Sequence, residues 1–343
     1  MVTGESNNPE SNEQKESSGL VWPEWYPQLA AFRHADSRKA LWQLFNTLVP
    51  YCVLWVLMVR SIQLGSSYLV TLLLALLAAA FLVRIFIMFH DCVHGSFFAG
   101  KGANTFFGYL FGLLVFTPFE DWRFSHLRHH VTYANLDARG FGDVWTMTLR
   151  EFQNSPKRTR LLYRLYRNPV VLFGLGAIFL FPLSNRLPTR RTKRKEHMSV
   201  VLTNLLLVVV IWLAAKVVGW KTYLLVQLPV LLFAGTAGIW LFYVQHQFEG
   251  GYWARKSEWV PVRAAMEGSS FYKLPALFRW FSGNIGFHHV HHLSPRIPNY
   301  LLKDCFDTIP ELQAKKPLTF MKSLNCAKLK LWDEGRQEMM GFP

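Results

Sequence analysis

The sequence predicts an all-α integral membrane protein: four transmembrane helices, short membrane-embedded or interfacial helices, and a helical cap on the cytoplasmic side. Three observations carry that class. Of 343 residues, 51% are hydrophobic and only 17% charged, where an ordinary soluble domain carries about 25% charge. The apolar residues fall in blocks long enough to cross a hydrocarbon core, which takes about 20 helical residues. The basic residues gather in some connections and avoid others, as they do when charge decides which side of a membrane a loop occupies.

Taken in order, residues 1–20 (MVTGESNNPESNEQKESSGL) are polar and poor in aromatics, which predicts a disordered tail ahead of one domain over 21–343. They have no basic start and apolar core of a signal peptide, so the first span serves as the insertion signal. Residues 41–59 (LWQLFNTLVPYCVLWVLMV) hold no charge and form the first span; residues 67–89 hold only Arg84 and form the second. Residues 199–215 and 222–245 supply the third and fourth. Helices of soluble cores are rarely apolar on every face for such lengths. The runs 104–119 and 169–183 are too short to cross; the first reads as a membrane-embedded hairpin or short helix, the second as an interfacial helix.

The cap comprises residues 120–198 and 246–343. The connection 121–197 ends in RLPTRRTKRKEH, whereas the loops 60–66 and 216–221 are short and carry one and two basic residues respectively. Basic segments face the cytoplasm, which places both termini and the cap there in a multi-pass protein. The net charge of +15 follows from that asymmetry and from attraction to anionic membrane lipids. No nucleic-acid recognition motif accompanies it, which argues against nucleic acid as a partner. Cys52, Cys92, Cys305 and Cys326 make no CxxC pair, and disulfides are not expected in a reducing compartment.

Histidine is the informative residue. GNIGFHHVHHLSP holds four of the chain's twelve histidines in five positions: His288, His289, His291 and His292. Two further groups sit just outside the spans, His90-Asp-Cys-Val-His94 and His126-Leu-Arg-His129-His130, and His246 ends the fourth span. On a helix, residues four apart share a face. His90 and His94 can therefore reach one point, as can the first and last members of each H-x-x-H-H. The middle member is turned aside toward a neighbouring centre. Two H-x-x-H-H copies beside an H-x-x-x-H arise by chance in about one such chain in ten thousand, and here they share one membrane edge. Neutral imidazole is the commonest transition-metal ligand. Eight or nine of them exceed the four that saturate a structural zinc, so the set points to a dinuclear site. Softness alone leaves Fe, Zn, Cu and Ni open. An intramembrane zinc protease needs H-E-x-x-H, and Asp91 stands at the glutamate position. A metal transporter would place its ligands inside the spans.

H-D-C-V-H, H-L-R-H-H and H-H-V-H-H, in that order with spans between them, resemble the three histidine boxes of membrane-bound fatty acid desaturases. NIGFHHVHHLSPRIPNY strengthens the likeness, and the three residues between His90 and His94 match the acyl-lipid Δ12/ω6 type. The likeness covers roughly residues 22–319. It implies a centre of two iron ions held by His90, His94, His126, His129, His130, His288, His291 and His292, with His246 as the additional ligand after the last span. It implies O2-dependent formation of a cis double bond in an acyl-lipid or acyl-thioester substrate, with electrons from ferredoxin or cytochrome b5. No His-Pro-Gly-Gly signature is present, so the donor is expected to be a separate protein. An acyl hydroxylase, an acetylenase or a carotenoid ketolase or hydroxylase would share these boxes. Metal-bound imidazoles need acceptors for their other N–H. Asp91, Glu120, Asp121, Asp137, Asp143, Glu249 and Asn284 are nearby, and Asp91 and Asn284 are the favoured pair. His289 falls between box positions and reads as supporting or simply packed.

Overall fold

A computed structural model describes residues 22–190 and 192–343; the stretch read as a disordered tail lies outside them. Among the described residues, four helices are long and apolar enough to cross a membrane: α1 (Ser37–Gln63), α2 (Tyr68–His94), α6 (Arg194–Val218) and α7 (Trp220–His246). Between α2 and α6 come α3 (Lys101–Leu114), α4 (Phe119–Thr132) and α5 (Lys157–Tyr166); after α7 come α8 (His288–Leu293) and α9 (Asn299–Thr308).

Local chemistry sets where the spans begin and turn. Asp36 caps α1 by accepting from the backbone N–H groups of Arg38 and Lys39 at 2.8 and 3.2 Å, and Ser67 caps α2. Gly219 is the whole connection between α6 and α7, and its φ of +86° is one that glycine adopts without steric cost. The four helices are thus two antiparallel hairpins. Of the four, α2 is the most enclosed, packed between α1, α3 and α7. The outer faces stay apolar, with Leu205, Val208 and Trp212 of α6 exposed toward lipid.

The two short apolar runs each adjoin a sharp bend in the chain. The first becomes α3, after which the chain bends by 101° into α4. The bend is tight because α3 presents a glycine to the start of α4: a Cβ on Gly108 would run into the ring of Phe119. The second run winds as a π-helical stretch, Val170–Leu175, into the helix Gly176–Leu180, bent 64° from α5. It docks on α7 where Ala177 meets Gly235, while Val170 and Phe179 stay exposed.

The cap is built from short helices and two small sheets. Met147–Thr148 pairs with Leu331–Asp333, which pairs with Glu338–Met340; Phe271–Lys273 pairs with Pro317–Thr319. The mostly helical class is unchanged. These strands went unforeseen because two or three residues cannot display the alternation that marks a strand in sequence. The segment before α1 folds onto the cap, with Arg33 Nε donating to Ser294 Oγ at 2.8 Å and Gln43 of α1 donating to Asn299 at 3.0 Å. The start of α6 joins the same end, where the Glu120 backbone N–H donates to Ser199 Oγ at 3.1 Å. The start of α1, the end of α2, the start of α6 and the end of α7 therefore lie at one end of the bundle, beneath the cap.

Candidate metal centre

Each histidine arrives on a helix end or a short helix at that edge. His90 and His94 occupy the last turn of α2, which Gly95 terminates with φ +68°. His126, His129 and His130 lie on α4, His246 is the last residue of α7, and His288, His291 and His292 lie on α8. A tight turn with positive φ at Gly283 and Asn284 delivers α8. Gly286 then passes so close to its neighbour that a Cβ there would run into the Tyr272 carbonyl oxygen.

Nine histidines converge in two adjacent groups. His90, His94, His126, His130 and His291 bring one ring nitrogen each within 4.8 Å of one another, and so do His129, His246 and His292. His288 joins the second group, its Nε2 3.0 Å from that of His246 and 3.1 Å from that of His292. In the first group His126 Nε2 lies 3.0 Å from His94 Nε2 and 3.1 Å from His130 Nε2, which lies 3.1 Å from His291 Nε2. The i,i+4 members of each H-x-x-H-H fall together, and the middle one crosses over: His129 leaves its box for the second group, His291 for the first. The groups touch where the rings of His130 and His292 stack, centroids 4.3 Å apart.

The chemistry of this donor set fits metal ions. Lone pairs aimed at each other repel unless a proton or cation lies among them. An ion about 2.1 Å from each nitrogen holds neighbouring ligands about 3 Å apart, the spacing seen here. Burial, then the neighbouring imidazoles, push His126, His130, His288, His291 and His292 well below the ordinary histidine pKa, so these rings stay neutral and able to ligate. Neither group includes a thiolate or a carboxylate, and both are large enough to fill most of an ion's coordination positions.

Two carboxylates orient the rings. Asp91 Oδ1 lies 3.2 Å from His90 Nδ1, and its Oδ2 accepts from the backbone and side-chain N–H groups of Asn299 at 2.6 and 2.8 Å. Asp143 Oδ1 lies 2.5 Å from His129 Nδ1. An Nδ1–H held in this way leaves Nε2 bare and pointed at the centre.

The model of the family described as "Fatty acid desaturase" matches residues 66–323, which contain all nine histidines. The chain belongs to the fatty acid desaturase family. It is 46% identical over 315 residues to a protein of Bacillus subtilis named "Fatty acid desaturase", a match covering 92% of this chain and 89% of that one. It is 28% identical over 237 residues to the Synechocystis "sn-1 oleoyl-lipid 12-desaturase", covering 67% and 65%. It is also 25% identical over 290 residues to the chloroplastic "Omega-6 fatty acid desaturase" of Arabidopsis thaliana, covering 80% and 60%. The protein is an oxidoreductase of this family.

In this member of the family, most of the other expected residues take other places. The Asn284 side chain donates to the Asn299 carbonyl at 2.9 Å and meets no histidine ring among the described residues, because the positive-φ turn swings it toward α9. Glu120 pairs with Lys195, Asp121 accepts from Thr189, and Asp137 pairs with Arg255. His289 faces away, its Nε2 3.1 Å from the Leu312 carbonyl and its ring packed near Phe271 and Phe306; burial lowers its pKa to about 3. Asn299 was not foreseen at all. It lies on a separate helix beyond the last box, and no spacing rule links it to Asp91.

Proposed function

We propose that the protein introduces a cis double bond into the acyl chain of an acyl-lipid or acyl-thioester, using O2 and two electrons from a separate ferredoxin or cytochrome b5. The convergence of nine imidazoles, six buried and three half-buried, into two touching groups, in a chain of the desaturase family, carries this reading. His90, His94, His126, His130 and His291 would hold one iron ion; His129, His246, His288 and His292 would hold the other. Bound there, the irons supply the oxidising power to take hydrogen from two neighbouring unactivated carbons, work beyond any acid–base side chain. The balance is one O2, two electrons and two protons consumed, with one double bond and two waters formed.

The protein's own residues bind, orient and enclose. Asp91 and Asp143 fix the rings of His90 and His129. A cavity of about 320 Å³ has His130 and His292 on its wall, one from each group. Val131, Tyr133, Trp259 and Leu293 line it as well, so one mostly apolar space borders both groups. The basic connections support a cytoplasmic position for this edge and both termini, within reach of a soluble or membrane-tethered donor. Relatives named for cytochrome b5 and for ferredoxin support either class.

Expression in a host of known lipid profile, followed by gas chromatography of its fatty acids, tests the reading. A new unsaturated acid is expected, absent with His126→Ala. New hydroxy acids or altered carotenoids with no new double bond would instead assign one of the oxygenase relatives of this chemistry.

A further inference from the structure

The geometry points to Arg167 as a positioning residue for one of the two ions, the one held by His129, His246, His288 and His292. This rests on the two-iron reading above.

Arg167 is fully buried, and no carboxylate pairs with it among the described residues. A buried guanidinium without a counter-charge is costly unless its donors are satisfied. Here Nη1 and Nη2 reach three separate pieces of chain, while Nε has no hydrogen-bond partner among the described residues. Nη1 donates to the Trp145 carbonyl at 3.0 Å and lies 3.4 Å from Thr146 Oγ1. Nη2 donates to Gln247 Oε1 at 2.9 Å and to the Tyr243 hydroxyl at 3.1 Å. It also lies 2.9 Å from the Leu329 carbonyl.

The positions of these partners give the arrangement its meaning. Trp145 and Thr146 follow Asp143, the carboxylate on His129 Nδ1, by two and three residues. Tyr243 and Gln247 bracket His246 at the end of α7. One planar fork thus joins the loop that aims His129 to the helix turn that aims His246, and those two Nε2 atoms lie 3.2 Å apart. A rigid fork with several donors does this where a single ammonium cannot. His90, His94, His126, His130 and His291 have no such link: their rings are set by α2, α4, α8 and the Asp91–Asn299 contact. Arg167 touches no histidine and acts only through its neighbours.

Metal content and fold of the detergent-purified full-length chain, measured for Arg167→Met and Arg167→Lys beside wild type, test the assignment. Arg167→Met is expected to stay monodisperse while its iron falls from two to one per chain, matching His246→Ala. Arg167→Lys keeps the charge but not the fork, and is expected to show the same selective loss in weaker form. Two irons retained in both variants would overturn the assignment, as would equal loss of both ions in Arg167→Lys, which marks a general packing role. A wild-type chain without two irons would instead count against the two-iron reading itself.

Discussion

His130→Ala is expected to lower double-bond formation by more than about 100-fold while leaving the protein inserted in the membrane. His130 is where the two groups meet. Its Nε2 lies 3.1 Å from both His126 and His291, and its ring stacks on His292. Removing it takes one donor from the first group and the wall between that group and the second. It also opens the lining of the cavity beside both. Loss of residues that merely support a ligand already costs 10–100-fold in metal affinity or activity, and a ligand at the junction of the two groups costs more. The fold has little stake in the ring, which lies at the cavity edge rather than in a packed cluster. Gas chromatography of the host's fatty acids, with an immunoblot for membrane level, reads the result. Activity within tenfold of wild type would remove His130 from the site.

Asp143→Asn is expected to reduce iron affinity at the second group, and activity with it, by about 10–100-fold. Asparagine keeps the shape and an acceptor oxygen, so packing is preserved and only the charge on the acceptor is lost. The charged contact to His129 Nδ1 at 2.5 Å is the strong kind. It fixes the tautomer that leaves Nε2 free. The neutral amide can equally present its NH2 group to Nδ1, which favours the opposite tautomer and takes His129 out of service as a ligand. Iron titration of the purified variant, alongside its turnover, checks this; wild-type affinity would show that Asp143 is dispensable to His129.

Much of this is legible in the residues alone, for identifiable reasons. The four spans stand out as long runs with no charge or, in the second, only Arg84. They lengthen in the structure because polar residues at their ends, such as Arg194 to His197, continue the helix once it is nucleated. The pairing of histidines follows from helical periodicity: His126 with His130 and His288 with His292, while His129 and His291 turn to the other group. Asp91 is legible for a similar reason, since it neighbours His90 on the same helix. Asn284 is misread from sequence because nearness along the chain is not nearness in space, and a positive-φ turn intervenes. Asp143, Asn299 and Arg167 depend on where loops and short cap helices come to rest. That is decided by packing between segments far apart in the chain, and no local spacing records it.

The most direct measurement is metal analysis of the purified full-length protein together with its activity before and after chelation. The account predicts two irons per chain, activity that disappears when they are stripped and returns when iron alone is restored. A single zinc per chain, or desaturation that survives complete removal of iron, would contradict it.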